Sequence, residues 1–414
     1  WLGWRPTINA FIILISSSMI LSWTINYLKL SFTKGWGNDT NTFFYNSFLN
    51  TSNSPLEFGG IVWNILIGIA FIWGINWFIC YKGIKKGIEK VNKVLLPTLV
   101  FIMIVIAIRS INLEGAVKGL NTLFTPDWSM MLKHEVWIAA YGQVFFSLSL
   151  AMGIMMTYSS YLPKDTDINN SAFITGFANC GFEFLSAIAV FSILGYMATA
   201  QGVEVSKVVS SGVGLAFIVF PQVFTTMGSI GTVLGVLFFL CLVFAGITSS
   251  VSLIQAVSAP FEDKFGWNRK YVVTVLAIIG FLISIVFATG AGLYLLDIID
   301  NFINNFGIVV VGFLEVVLIG WIVTPDEIRS HTNKVSYFNI GKWWNIMIKY
   351  ISPAILIFML IQTLFTEFTT PYGGYNLKEL LLYGWGVVAF GIIVALIISR
   401  KPWKDKKIDD YISK

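Results

Sequence analysis

Long apolar runs separated by short polar segments dominate this sequence. There are ten such runs, beginning near Ile8, Gly60, Val94, Trp137, Ala172, Gly231, Tyr271, Leu293, Ile346 and Glu379. Each run is about 20 residues or longer, the length that an α-helix needs to cross a hydrocarbon layer about 30 Å thick. The pattern predicts an all-α transmembrane bundle of ten spans. An even number of spans places both ends of the chain on one side of the membrane.

The composition excludes an ordinary soluble domain. The 414 residues are 56% hydrophobic and only 12% charged, with a mean hydropathy of +0.76. Soluble domains carry about 25% charged residues. A chain with half that charge and this much apolar side chain is typical of a membrane protein.

Lysine and arginine are distributed unevenly between the two sets of loops. Of 27 such residues, 19 fall on one side and six on the other, including the cluster Lys82, Lys85, Lys86, Lys90 and Lys93. Because cytoplasmic loops carry the excess of positive charge, both ends of the chain are predicted to be cytoplasmic, in a multi-pass protein of the cell membrane. The net charge of +5 is thus a topology signal. It gives no reason to expect nucleic acid as a partner.

One predicted span contains small and hydroxyl residues at its middle. Residues 143–153 read QVFFSLSLAMG. This composition favours a helix that is interrupted in the membrane, where freed backbone groups can bind a cation or an anionic substrate group. The alternative is a continuous helix whose serines pack against a neighbour.

A second polar segment, residues 244–250, reads FAGITSS. Ala245, Thr248 and Ser249 share one helical face by their spacing. Two hydroxyls and one free carbonyl could form half of a site for a hard cation. The alternative is a packing face on which the hydroxyls bond back to their own helix.

Carboxylates form the remaining polar features of the spans. Asn179 and Glu183 lie one turn apart in an otherwise apolar span, and a carboxylate at this depth predicts a functional site, with a neutral structural glutamate as the alternative. Another span carries Asp297 and Asp300 near its extracellular start and Glu315 deeper in the membrane. Asp297 is expected to be solvated, whereas Asp300 and Glu315 are candidates for function.

Taken in order, these segments resemble the neurotransmitter:sodium symporter family in its bacterial amino-acid branch. The resemblance rests on FFSLSLAMG at residues 145–153, NCGFE at 179–183, AGITSSVSLIQ at 245–255 and FED at 261–263. It implies a LeuT-type inverted-repeat fold in which residues 1–414 form a single transporter domain holding family spans three to twelve. The first two family helices are expected to lie outside this sequence.

The resemblance also implies roles for individual residues. Ser147 and Asn179 correspond to ligands of one sodium ion, and Ala245, Thr248 and Ser249 to ligands of a second. The corresponding substrate positions are Ile13, Ser17, Phe146, Ser147, Ser149, Leu150, Met152, Ser249 and Leu253, with Phe146 as the lid over the substrate. Asp300 corresponds to the outer gate, and Asp263 with Tyr161 to the inner gate.

Two positions refine what the resemblance implies. Glu183 stands where chloride-dependent relatives place a small hydroxyl residue beside a bound chloride, so a fixed carboxylate is expected to make transport chloride-independent. Ser17 stands where many relatives have a tyrosine that bonds the substrate carboxylate. A serine reaches less far, which weakens that contact or leaves it to water.

The function expected from this pattern is sodium-coupled import of an amino acid, of hydrophobic type, by alternating access. The alternatives are a proton-driven amino-acid permease of the same fold, with Glu183 or Glu315 as proton carrier, and a ligand-binding membrane protein that does not transport. No enzyme activity and no cofactor other than sodium as coupling ion is predicted. The expected partners are the substrate, sodium and membrane lipid, with a homodimer as one arrangement of the chain.

Overall fold

The computed structural model describes residues 1–208 and 212–404. Within these residues the chain is helical, and its extended pairing is a single antiparallel bridge between Ile61 and Thr289. Nine helices in this part of the chain are long and apolar enough to cross a membrane. They agree with nine of the ten predicted spans.

The spans are numbered here with the two halves of the interrupted one counted separately. They are α1 (Trp4–Ser31), α2 (Trp63–Tyr81), α3 (Ile84–Ile111), α4 (His134–Ser147), α5 (Ile154–Ser159), α6 (Ile168–Gln201), α7 (Gly228–Phe265), α8 (Arg269–Ala288), α9 (Gly292–Val323), α10 (Trp343–Gly374) and α11 (Leu377–Ser399). A shorter apolar helix, Gly212–Thr226, lies between α6 and α7.

The one remaining predicted span, which begins near Trp137, is broken in two. Helix α4 ends at Ser147 and α5 begins at Ile154. Between them the backbone takes positive φ angles at Ser149 (52°), Ala151 (56°) and Gly153 (74°). Two of these residues carry a Cβ that disfavours this conformation, so the surrounding structure must hold the break in place. The predicted interruption is confirmed, and the alternative of a continuous serine-lined helix is wrong.

Helix α3 begins almost three helical turns earlier in the chain than the apolar run that predicted it. The prediction starts near Val94, whereas the helix starts at Ile84 with a π-helical turn over Ile84–Glu89. The four lysines of this stretch lower its hydropathy without lowering its capacity to form helix. The helix therefore extends beyond the apolar run into the polar zone.

Helix α1 lies at the centre of the bundle, where it packs closely on α7 and α2. Gly246 of α7 faces Leu21, and a Cβ at that glycine would lie 1.9 Å from the Leu21 side chain. Gly68 of α2 likewise faces Ser22, whose hydroxyl donates a hydrogen bond of 2.7 Å to the carbonyl of Ile65. Small residues let these backbones approach, as is common between membrane helices.

An aromatic cluster packs around one end of this centre. Tyr27 is buried among Trp36, Phe44, Phe217 and Phe239, with ring centroids 5.0 to 6.3 Å apart. Such contacts join α1 and α7 to the short helix that precedes α7. They leave the face of α1 that carries Ile13 and Ser17 free to line an internal cavity.

Candidate functional site

A polar cluster forms where the broken end of α4 meets the middle of α6. Glu183 accepts a hydrogen bond from the Ser147 hydroxyl, and Asn179 donates through Nδ2 to the Ser147 oxygen. Asn179 Nδ2 and Gln143 Nε2 each lie 3.3 Å from Glu183 Oε1. Three donors thus converge on one carboxylate oxygen within the membrane.

The geometry of this cluster follows from helix periodicity. Asn179 and Glu183 are one turn apart on α6, and Gln143 and Ser147 are one turn apart on α4, so two pairs face each other. Hydrogen bonds between such donors and a carboxylate are charge-assisted and hold the carboxylate in a fixed orientation. The arrangement can hold a fixed negative charge beside the Ser147 and Asn179 side chains.

A cavity of about 740 Å³ lies between α1, the α4–α5 break and α7. Eight of the residues singled out in the sequence line it, namely Ile13, Ser17, Ser149, Met152, Ala245, Thr248, Ser249 and Leu253. They come from segments up to about 240 residues apart in the chain. Its walls are mainly apolar, with hydroxyls concentrated on the α7 side, as expected of a site for a small molecule with a few placed polar contacts.

The α7 side of this cavity carries the predicted cation ligands. Thr248 donates a hydrogen bond of 2.8 Å to the carbonyl of Ala245, and Ser249 is exposed to the cavity. The Thr248 contact matches the back-bonded alternative. It also brings two oxygens together on one face, where a hydroxyl keeps lone pairs for a cation while it donates its hydrogen. The donor set fits sodium, which binds oxygen ligands.

Three of the predicted substrate residues lie outside this cavity. Phe146 lines a separate space of about 290 Å³ between α4, α9 and α10, together with Gln143, Asn305 and Thr363. Leu150 is exposed, and Ser147 belongs to the Glu183 cluster. The structure therefore does not place Phe146 as a lid over the central cavity.

A second polar network joins the segment after α5 to α7 and α8 at the predicted cytoplasmic side. The buried Gln255 donates a 2.7 Å hydrogen bond to the Tyr161 hydroxyl and accepts one from Arg269. Arg269 also lies 3.5 Å from Glu262. Burial raises the pKa of Tyr161, and the nearby charge of Glu262 raises it further. Of the two predicted inner-gate residues, Tyr161 belongs to this network and Asp263 is exposed beside it.

The acidic pair Asp297 and Asp300 of α9 differs from the expectation in one respect. Asp297 is half-buried and bonded within the protein: it accepts hydrogen bonds from the hydroxyls of Tyr372 at 2.8 Å and Tyr375 at 2.9 Å. The expectation was wrong because the partners lie about 75 residues away, at the end of α10. Asp300, one turn further along α9, is exposed. It remains the candidate for a gate.

Several polar residues of these sites were not singled out in the sequence. Gln143 and Gln255 are glutamines within apolar runs, a signal that could have found them. Asn92 of α3 lines the central cavity and has a buried side-chain oxygen without a hydrogen-bond partner among the described residues. It lies in the lysine-rich stretch, where its polarity did not stand out.

Comparisons with known proteins identify the family. A model of the sodium:neurotransmitter symporter family matches residues 36–401. An uncharacterized sodium-dependent transporter of Methanocaldococcus jannaschii is 37% identical over 400 residues, which cover 97% of this chain and 81% of that protein. The sodium- and chloride-dependent glycine transporter 1 of Xenopus laevis is 30% identical over 331 residues, which cover 78% of this chain and 51% of the frog protein.

The chain thus spans about half the length of the frog transporter and about four fifths of the archaeal one. Most of the chain, including the broken α4–α5 span and both polar clusters, falls within the matched region. The chain belongs to the sodium:neurotransmitter symporter family, and is a multi-pass membrane transporter with sodium as its coupling ion, and not an enzyme.

Proposed function

We propose that the protein imports an amino acid together with sodium, independently of chloride, by alternating access. The observation that carries this proposal is the contact between Glu183 and Ser147, flanked by Asn179. It supports a carboxylate that stands permanently beside one of the proposed sodium sites. The remaining support comes from the central cavity and its hydroxyl-bearing wall.

Chloride independence follows from the charge of Glu183. A sodium ion bound between Ser147 and Asn179 adds positive charge in a region of low dielectric constant, where uncompensated charge is costly. A carboxylate held by three donors offsets that charge without a mobile anion. The frog relative, named as chloride-dependent, is expected to need the anion that Glu183 replaces here.

Two sodium sites are proposed from separate donor sets. At the first, Asn179 donates through Nδ2, which leaves its Oδ1 available to a cation beside the Ser147 oxygen. At the second, the Ala245 carbonyl, Thr248 and Ser249 face the central cavity. Further ligands are expected from the substrate carboxylate and from parts of the protein outside these residues.

The proposed substrate is an amino acid with a hydrophobic side chain. Ile13, Met152 and Leu253 give the cavity an apolar wall that fits such a side chain, while Ser149 and Ser249 provide polar contacts. The frog relative's name, a glycine transporter, supports the amino-acid class. Ser17 lines the same cavity but bonds its own helix at Leu14, so it is proposed to contact the substrate through water.

The direction of transport follows from the proposed orientation. With both ends cytoplasmic, Asp300 faces outward and the Tyr161–Gln255–Arg269 network faces the cytoplasm, so each can close one entrance to the cavity. The membrane potential then drives sodium inward with about 2.3 kcal/mol per charge per 100 mV. Alternating closure of the two entrances couples that energy to substrate movement.

Ion substitution tests this proposal directly. Uptake of a radiolabelled amino-acid panel is measured in liposomes holding the native protein, with sodium chloride, potassium chloride or sodium gluconate outside. Uptake that requires sodium and is unchanged in gluconate is the expected result. Uptake that persists in potassium would favour the proton-driven permease, and binding without accumulation would favour a ligand-binding protein.

A further inference from the structure

A lysine-lined cavity, separate from the central cavity, lies at the turn between α2 and α3. Its volume is about 570 Å³, and its lining is Lys82, Lys85, Lys86, Glu89, Lys90 and Lys93. Gly83, with φ of 87°, makes the turn that brings the end of α2 next to the first turns of α3. Five cationic side chains therefore share one concave surface with a single carboxylate.

Most of this positive charge is not neutralised within the described part of the chain. Glu89 pairs with Lys93 at 2.6 Å, and Lys82 lies 3.9 Å above the ring of Phe78. Lys85, Lys86 and Lys90 are exposed and make no ion pair with any described residue. If these lysines served only as a topology signal, they would not need to share a cavity, because positive charges set topology wherever they lie in cytoplasmic loops.

An apolar stripe leads from this cavity along the outside of α3. Lys90 is followed at helical spacing by Val94, Phe101, Ile104 and Ile108, all exposed. Residues at this spacing lie on one helix face. Phe78, exposed near the end of α2, borders the same entrance. A ligand that matches the whole surface has an anionic head at the lysines and long apolar chains along the stripe.

We infer that the cavity formed by Lys82, Lys85, Lys86, Glu89, Lys90 and Lys93 binds the headgroup of an anionic phospholipid, whose acyl chains lie along the exposed face of α3. Lysines are point charges that bind phosphate without demanding a fixed geometry. A cluster of four to eight basic residues beside a membrane helix is the composition that attracts anionic lipid. The occupant is a membrane lipid and not a soluble phosphate, because the apolar stripe continues directly from the charged cavity.

Lipid binding is measured by native mass spectrometry of the purified protein, titrated with dioleoylphosphatidylglycerol or with dioleoylphosphatidylcholine of identical chains. The site variant carries Lys85→Gln, Lys86→Gln and Lys90→Gln. The matched control carries Lys164→Gln, Lys334→Gln and Lys342→Gln, which removes the same charge from exposed lysines elsewhere. Glycerol 3-phosphate is added as a competitor that has the headgroup chemistry without the chains.

The unaltered protein is expected to retain one phosphatidylglycerol at least tenfold more tightly than phosphatidylcholine. Each lysine near an anionic lipid contributes about fivefold in affinity, so the site variant should lose at least tenfold while the control changes less than about twofold. Equal losses in both variants, equal binding of the two lipids, or displacement by equimolar glycerol 3-phosphate would overturn the inference.

A single substitution that should strengthen lipid binding keeps the inference testable if the triple lysine variant does not fold. Glu89→Gln removes the one carboxylate of the cavity and frees Lys93 from its ion pair. It is expected to increase the affinity for phosphatidylglycerol and to leave that for phosphatidylcholine unchanged. An unchanged or lower affinity for phosphatidylglycerol would contradict the assignment of the cavity.

Discussion

Ser147, the last residue of α4, donates its hydroxyl hydrogen to the carboxylate of Glu183 on α6. This contact exists because α4 stops at Ser147 and leaves the end of the helix beside the polar face of its neighbour. One oxygen proposed as a sodium ligand therefore touches a fixed negative charge. The break in the helix therefore places the Ser147 oxygen and the Glu183 carboxylate in the same site.

Removing hydroxyls from the α7 wall is expected to weaken sodium binding. Thr248→Val and Ser249→Ala should each raise the sodium concentration for half-maximal uptake by about tenfold, because one contact to a charged group contributes about 1.5–3 kcal/mol. The measurement is uptake against sodium concentration in liposomes. Ser229→Ala, on the same helix but outside the cavity lining, should leave the sodium dependence unchanged.

The substrate cavity can be tested with two leucines. Leu253 lines the central cavity, whereas Leu150 is exposed outside it. Leu253→Ala should shift preference toward larger side chains by about tenfold, since each methylene in an apolar pocket contributes about 1–3 kcal/mol. Competition between labelled and unlabelled amino acids measures the preference. A shift caused by Leu150→Ala and not by Leu253→Ala would contradict the placement of the cavity.

Asp297 is expected to stabilise the packing of α9 against the end of α10 through its two tyrosine partners. Asp297→Ala should lower the unfolding temperature in detergent by several degrees, because hydrogen bonds to a charged group contribute about 1.5–3 kcal/mol each. Tyr375→Phe should cost less in the Asp297→Ala background than in the unaltered protein. Glu114→Ala, at an exposed carboxylate outside this contact, serves as the control and should change stability little.

The cap of α6 should make stability depend on pH in the acidic range. Asp167 Oδ1 accepts from the Asn170 amide at 3.0 Å and Oδ2 from the Tyr337 amide at 2.9 Å, and these bonds lower its pKa. A lowered pKa means that its stabilisation is complete above about pH 4, the ordinary value, and is lost as pH falls through the lowered one.

Asp167→Ala should therefore lower the unfolding temperature at pH 7, and the difference from the unaltered protein should be smaller at pH 3. Thermal unfolding at the two values of pH measures this. Asp165→Ala, an exposed neighbour, should have no effect at either value. A difference that stays constant with pH would show that Asp167 acts by packing alone.

The sequence predicts the membrane bundle well, because long apolar segments are stable as helices in the hydrocarbon layer and unstable when exposed to water. It also predicts the break in α4–α5, since small and hydroxyl residues at mid-membrane weaken a continuous helix. Ser147, Asn179 and Glu183 could be paired from periodicity together with the family resemblance. These inferences depend on local composition, which the sequence displays directly.

Long-range geometry accounts for what the sequence does not predict. The contact of Asp297 with Tyr372 and Tyr375 depends on how α9 and α10 pack. The separation of Phe146 from the central cavity depends on the direction in which α4 points after the break. The lysines between α2 and α3 indicate the topology from sequence alone. Their arrangement around one cavity depends on the turn at Gly83, which the sequence does not predict.

The most direct test of the central claim replaces Glu183 by serine. Uptake by the unaltered protein should be the same in chloride and gluconate, whereas Glu183→Ser should transport about tenfold faster in chloride, a difference of about 1.4 kcal/mol. Glu204→Ser, at an exposed carboxylate outside the cluster, controls for the loss of charge. Chloride-dependent uptake by the unaltered protein, or chloride-indifferent uptake by the Glu183→Ser variant at the unaltered rate, would contradict the role of Glu183.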